Sequence, residues 1–230
     1  MGKIRLLDGT TEYPLEHIGK CAGICWGADT SDENKNIERA KNCILSGHGR
    51  VLEYVDIELV IEGYSARVIR EWYTHIAGGP TRLQESTRYV NWNECDSIVL
   101  APSIEKFAKA GDPEICKAME GYLSCFAILR ETLADKNIPK EDIAMFYPLG
   151  MKTKIIDKRN LRNFADMCGQ RLCSRAYWEY QKLMAEIISK LREVSDEWCW
   201  IADNLFIPKC EKVGFCVEDK CCGRKPKKGE

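Results

Sequence analysis

Apolar and polar residues alternate most regularly in YVDIELVIEG, residues 54–63. Val55, Ile57, Leu59 and Ile61 fall on one face and Asp56 and Glu58 on the other, the period-two pattern of a half-buried strand, with Gly63 placed to end it. Upstream, TSDENKNIERAKNCILSGHG has helical spacing. Ile37, Ala40, Ile44 and Leu45 form its apolar stripe, Thr30 and Glu33 stand at capping-box spacing, and Gly47 and Gly49 stop it. Downstream, SARVIREWYTH is helical, with Ser65 as N-cap. PEICKAMEGYLSCFAILRETLADKN predicts a long helix opened by Pro113. MKTKIID reads as a strand, and NLRNFADMC and SRAYWEYQKLMAEIISKLREV as two more helices, the second with Ala176, Tyr180, Leu183 and Ile187 on one face. DEWCWIADNLF closes the globular part. Few strands, several long helices and no repeat or Pro- or Ser-rich linker predict an α+β fold with a small mixed or antiparallel sheet. The expected division is one domain over residues 1–207 and a cysteine-rich basic tail over 208–230.

One stretch breaks this rhythm. YTHIAGGPTRLQESTRYVNW, residues 73–92, holds one of three histidines, then Gly78-Gly79-Pro80, then Thr81, Arg82, Gln84, Glu85, Ser86, Thr87 and Arg88 with hardly an apolar residue. The glycines and Pro80 end the preceding helix and expose backbone N–H groups. Arginine gives bidentate, permanently charged contacts, and hydroxyls with free N–H groups complete a set of donors suited to phosphate oxygens. A polar surface loop has the same composition.

The chain has 230 residues, a net charge of −1, 45% hydrophobic and 30% charged residues, an ordinary globular composition. Near-zero charge argues against a general nucleic-acid binder, and no apolar run is long enough to span a bilayer. The first residues, MGKIRLLDGTTEYPLEH, lack the apolar stretch of a signal peptide, and Leu6 stands where a myristoylation signal wants Ser or Thr, so a cytoplasmic location without membrane attachment is expected. Thirteen cysteines then read as reduced thiols. Cys43, Cys116, Cys125 and Cys168, among apolar helical positions, are expected to pack as small hydrophobes.

The segment GHGRVLEYVDIELVIEGYSARVIREWYTHIAGGPTRLQESTRYV resembles the central block of the flavin-dependent thymidylate synthases. In that family a helix ends in Gly-His-Gly, a Leu-Glu-His triplet starts a strand, an Arg-Gln pair sits on the next helix, and an Arg-His-Arg triplet leads to Ser-x-Arg-Tyr. Here Leu52-Glu53 and Ser86-Thr87-Arg88-Tyr89 match. Downstream, DKRNLRNFADMCGQRLCSRAYWEY is similar to the family's second block through Arg159, Leu161, Asn163 and Phe164, then Arg171, Ala176 and Glu179. The two blocks, in order, cover roughly residues 20 to 190.

The resemblance implies reductive methylation of deoxyuridine monophosphate (dUMP) to thymidylate. It implies bound FAD, methylenetetrahydrofolate as carbon donor, NADPH as reductant and a homotetramer whose sites combine several subunits. It would place Ser86, Thr87 and Arg88 on the nucleotide phosphate, Arg159 on the same nucleotide from another subunit, and Gln84 near the uracil edge. Glu71, in place of a family glutamine, joins this substrate group. His75 would contact the flavin and Arg171 would help hold it. Tyr54, in place of the histidine after Leu-Glu, joins the cofactor group with Thr74 and Ile76. For Arg159 and Arg171, a salt bridge on a helix face is the plain alternative.

The departures are specific. Thr74-His75-Ile76 replaces Arg-His-Arg, so two cations beside the flavin are missing, and about two extra residues separate His75 from Ser86. The late arginine that would polarise the uracil is Gln181, unless Arg175 takes over. Arg82 is the candidate for restoring one lost charge near the cofactor. These changes leave open a different pyrimidine nucleotide or one-carbon product, or a nucleotide- or metal-binding homologue without catalysis.

The tail PKCEKVGFCVEDKCCGRKP spaces Cys210, Cys216, Cys221 and Cys222 as C-x5-C-x4-C-C. Four thiolates suit a structural Zn²⁺, although paired C-x2-C spacing is absent. Exposed reduced thiols are the alternative, and no catalytic part is expected of the tail.

Overall fold

The computed structural model of the protein describes residues 2–90 and 98–229. In chain order the elements are β1 (Lys3–Leu6), α1 (Pro14–Cys25), α2 (Glu33–Leu45), a 3-10 segment (Gly49–Tyr54), β2 (Asp56–Ser65), α3 (Ala66–Trp72) and β3 (Thr81–Gln84). Then come α4 (Pro102–Lys109), α5 (Pro113–Asp135), α6 (Lys140–Ile143), a 3-10 turn (Ala144–Phe146), β4 (Lys152–Asn160), α7 (Leu161–Arg171), α8 (Trp178–Arg192), α9 (Asp196–Asn204) and α10 (Lys209–Val213). The class is α+β, with one four-stranded sheet ordered β1-β2-β4-β3.

The alternation read in β2 is the register of the sheet. Val55, Ile57, Leu59 and Ile61 are fully buried. The opposite face carries ion pairs, Lys158 to Asp56 at 3.1 Å and Lys154 to Glu62 at 3.1 Å. Residue number rises on β4 as it falls on β2, so the two strands run antiparallel. Gly63 takes a left-handed φ of 75° but does not end the strand, which continues to Ser65.

The chain forms two interleaved compact units. The first holds residues 61–72 and 83–155 with the N-terminus. The second holds 4–60, 73–82 and 156–230, tail included. In the first, Ser65 caps α3 as expected, its Oγ accepting from the Val68 N–H at 3.1 Å. The helix stops at Trp72, three residues earlier than predicted. Phe126 is the buried residue of the 23-residue α5 and meets the Tyr147 ring edge-on at 5.9 Å. Tyr122, Ile128 and Leu129 on the same helix are exposed.

In the second unit, α1 and α2 pack so closely that a Cβ on Gly19 would lie 1.9 Å from the Asn36 carbonyl oxygen. The buried face of α2 is therefore Asn36, Ala40 and Cys43, while Leu45, expected in the stripe, is exposed. Its cap is Asp32, which accepts from the Lys35 N–H, rather than Thr30. Glu197 accepts from the N–H groups of Leu15 and Glu16 at 2.5 and 3.1 Å, satisfying the open end of α1. Phe164, Trp198 and Phe206 fill the core with Tyr180, Leu183 and Ile187 from α8. Helix α8 begins at Trp178 rather than Ser174. Cys43 and Cys168 are buried as expected, but Cys116 is only half-buried and Cys125 is exposed.

Candidate functional site

The second unit contains a cavity of about 800 Å³. One wall is Thr74, His75, Ile76 and Ala77, the loop after α3. A second is the face of α7 carrying Asn163, Asp166, Gly169 and Gln170, with Cys173 just beyond its end. The third is the C-terminal region, from Pro208 and Lys209 to Cys222 and Arg224. The volume lies within the range of small-molecule and cofactor sites.

The loop is held from beneath. Arg159, fully buried at the end of β4, donates from Nε and Nη2 to the two carboxylate oxygens of Asp157 at 2.8 and 2.5 Å. Its Nη1 donates to Asn163 Oδ1 at 2.6 Å and also meets the Met167 sulfur. Asn163 Nδ2 in turn donates to the Ala77 carbonyl at 2.7 Å. A fork of donors against a buried carboxylate is thus connected to the cavity loop through one amide. Asn160 caps α7 by accepting from the Asn163 N–H at 2.9 Å, and a Cβ on Gly78 would lie 2.6 Å from its side chain. Gly78 also has φ 74°, so this turn needs glycine twice over.

His75 is half-buried and fixed by Arg171, whose Nε–H donates to His75 Nε2 at 3.1 Å. That bond makes Nε2 the acceptor and leaves the ring proton on Nδ1. Burial first, then the Arg171 and Arg159 charges, lower the His75 pKa to about 4. The ring is therefore neutral at physiological pH. The Arg171 guanidinium lies 4.6 Å from the Tyr180 ring centroid, which fixes its plane.

The other expected residues are placed as follows. Arg82 is on β3, stacked over the Tyr73 ring at 4.4 Å and donating to the Tyr73 carbonyl at 3.1 Å, and it is absent from the cavity lining. Gln84, also on β3, donates to Thr153 Oγ1 at 3.2 Å. The stretch expected to be loop is thus in part an edge strand. Ser86 Oγ accepts from the Arg88 N–H at 3.3 Å. Thr87 is half-buried, and Arg88 is exposed with Glu141 at 3.8 Å. Asn91 and Trp92 lie outside the described residues. Glu71 is half-buried on α3 and Tyr54 is exposed in the 3-10 segment. Gln181 donates to the carbonyls of Ala176 and Ser174 at 2.6 and 3.4 Å. Arg175 is exposed, 3.5 Å from Glu218. Arg159 is not at a surface at all, and any nucleotide contact by it would first have to displace Asp157.

The tail corrects one expectation. Among the described residues no group of three or more His, Cys, Asp or Glu side chains is placed to hold a metal, so the zinc expected of Cys210, Cys216, Cys221 and Cys222 has no site. Cys210 is on α10, the free thiols of Cys216 and Cys221 donate to the Glu218 and Lys225 carbonyls at 4.0 and 3.1 Å, and Cys222 turns to Ser174, whose hydrogen bond lowers its pKa. The tail is nonetheless ordered against α7. Gly214 closes α10 at φ 82°, the Cys216 N–H donates to the Pro226 carbonyl at 2.7 Å, and Arg224 Nη1 donates to the Leu172 carbonyl at 3.2 Å. Sequence reasoning missed this wall. Asn163 and Asp157 were missed as supports too. The signal for α7 was its second stripe at 163, 166 and 170, polar beside the apolar one.

Comparison with known proteins adds an independent line. A sequence model of the family described as thymidylate synthase complementing protein matches residues 5–195. A protein of Pyrococcus horikoshii named flavin-dependent thymidylate synthase is 31% identical over 95% of this chain and 90% of its own. One of the same name from Clostridium tetani is 28% identical over 96% and 93%. A third, from Nitratidesulfovibrio vulgaris, is 29% identical over 83% and 79%.

Proposed function

The chain belongs to the thymidylate synthase complementing protein family, and from that premise we propose that it is a flavin-dependent thymidylate synthase with that family's fold. It converts dUMP to thymidylate with FAD, methylenetetrahydrofolate and NADPH. The observation that carries the reading is the cavity on which Thr74, His75, Ile76 and Ala77 converge, since the resemblance assigns the first three to the flavin. The lining fits such a group. It offers a neutral ring with one donor, several small side chains that admit a flat ring system, and cations on the tail side.

When bound, the flavin supplies the redox chemistry, and the protein binds, orients and sets charge. His75 presents Nδ1–H without a positive charge, and Arg171 and Tyr180 keep its ring from turning. Ser86, Thr87 and Arg88 take the nucleotide phosphate. Arg88 gives up only a solvent-exposed contact to Glu141 to do so, which costs little. Gln84 reads the uracil edge. Of the two candidates for polarising the uracil, Arg175 suits the role better, because the Gln181 amide already holds the turn before α8. Arg159 acts by supporting the loop.

A homotetramer is part of this reading. Its support is the exposed apolar surface of the first unit, Tyr122, Ile128 and Leu129 on α5 together with Ile104, Phe107, Met145 and Phe146. Light scattering should show a tetramer for the protein and smaller species for Ile128→Glu.

The test is the visible spectrum of the purified protein after FAD addition and desalting, with tritium release from 5-tritiated dUMP in the presence of all cosubstrates. A retained flavin spectrum and tritium release are expected. A colourless, inactive protein overturns the reading. Mass spectrometry of the product separates methylation from hydroxymethylation, the alternative that the uncharged Thr74 and Ile76 motivate.

A further inference from the structure

We propose that the C-terminal tail is a ligand-binding wall, in which Lys209, Lys212 and Arg224 form a subsite for the diphosphate of a dinucleotide. The inference rests on the flavin reading for its FAD arm only. All three cations line the same cavity as His75. Among the described residues none of the three is in an ion pair, whereas the neighbouring Lys225 is paired with Glu211 at 3.0 Å. Arg224 spends one donor on the Leu172 carbonyl, which fixes it at the C-terminal end of α7 and leaves four N–H groups of its fork. The carboxylates on the lining are Asp166 and Glu218, and Arg175 faces the latter at 3.5 Å. With His75 neutral, positive charge in the cavity comes from the tail alone.

With Glu218 faced by Arg175, the three exposed cations stand against one further carboxylate on the lining, Asp166, and this net positive charge suits a ligand carrying more than one negative charge. Ser86, Thr87 and Arg88, the donors suited to a nucleotide monophosphate, are not on this lining. The loop that is on it belongs to the cofactor side. A diphosphate joined to a flat ring system meets both requirements. The tail thereby supplies the charge missing from Thr74 and Ile76, a part for which Arg82, stacked on Tyr73, is not placed.

The experiment is equilibrium binding of FAD, ADP and riboflavin to the full chain and to a Lys209→Gln, Lys212→Gln, Arg224→Gln variant. A Lys209→Gln, Lys212→Gln variant, which keeps the tie to Leu172, guards against a displaced tail. The expected result is FAD and ADP affinity lowered at least about 30-fold in the triple variant, with riboflavin affinity within about threefold, since only the diphosphate contacts are lost. The double variant should fall between, and Lys209→Arg, Lys212→Arg should bind like the parent. Unchanged FAD and ADP affinity in the variants overturns the inference and leaves the flavin reading intact. ADP binding that depends on the three cations, in a protein that takes no flavin, supports the inference and overturns that reading. A protein that binds neither FAD nor ADP overturns both.

Discussion

The segment from Thr74 to Arg88 has two ends of opposite character. At the first end, Ala77 is bonded to Asn163, and His75 is held by Arg171. At the second, Ser86 is half-buried and accepts from the Arg88 N–H, and the Arg88 side chain is exposed with a long contact to Glu141. The first end belongs to one compact unit and the second to the other. A site whose side chains are already fixed loses little freedom when a ligand arrives, whereas an open set of donors must be ordered by the ligand or by another subunit. On the proposed function, one chain therefore builds most of the cofactor pocket and only one side of the nucleotide site.

Breaking the support of the fixed end should have the largest effect. Asp157→Ala leaves the Arg159 guanidinium buried without its carboxylate, and removing one partner of a buried pair costs about 3–5 kcal/mol. Urea unfolding should show a loss of that size. The same measurement on Arg88→Ala should show less than about 0.5 kcal/mol, as at other exposed positions. A loss under about 1 kcal/mol for Asp157→Ala would mean that the network is not what holds the loop.

The open end should fail in binding instead. If Arg88 takes the nucleotide phosphate as proposed, Arg88→Ala removes charged hydrogen bonds worth about 1.5–3 kcal/mol, or roughly 10- to 150-fold in dUMP affinity. Calorimetry should find that loss with FAD affinity unchanged. If FAD affinity falls as well, the two ends are one site energetically and the contrast disappears.

Adjacent glycines sharpen the comparison within the fixed end. Gly78 and Gly79 both have left-handed φ, 74° and 66°, but an added Cβ meets the Asn160 side chain only at Gly78. Left-handed backbone costs a side-chain residue about 1–2 kcal/mol. Gly79→Ala should lose that much and Gly78→Ala more, a difference of a few degrees in melting temperature for a chain of this size. Equal losses would show that Asn160 yields freely.

What the sequence made legible follows the same division between regular and assembled features. β2 was readable because an antiparallel strand covered on one face repeats every two residues, and Val55 to Ile61 carry four such repeats. β1 and β3 are four residues each, too short for a period, and β3 is an edge strand whose Thr81, Arg82 and Gln84 look like loop. The length of α5 was readable but its exposure was not, since the same apolar residues serve a core or an interface. Ser86 to Arg88 and His75 stood out by residue type. Lys209, Lys212 and Arg224 did not, because turns at Gly214 and Gly223 gather them on one wall while four cysteines dominate the local pattern. A metal motif and a folded wall can share one composition, and only packing separates them.

The last effect predicted is a dependence on pH confined to the fixed end. The His75 pKa is lowered to about 4 by burial and by the Arg171 and Arg159 charges, while a free imidazole titrates near 6.5. Between those values the unfolded chain takes up a proton that the folded chain refuses. Stability should therefore fall as pH drops from about 6.5 toward 4, and this group should contribute no slope above 6.5. Glu197 acts in the opposite sense nearby, because burial raises its carboxyl pKa. The quantity to measure is accordingly the difference between the parent and His75→Gln, in which the Glu197 contribution cancels. That difference should decline with falling pH across the window and be flat above it. Arg88→Ala, at the open end, should track the parent throughout. Parallel curves for parent and His75→Gln would show that the imidazole is not held neutral. The fixed end would then carry a histidine cation beside the ligand at mildly acid pH, and the tail would no longer be the sole source of positive charge in the cavity.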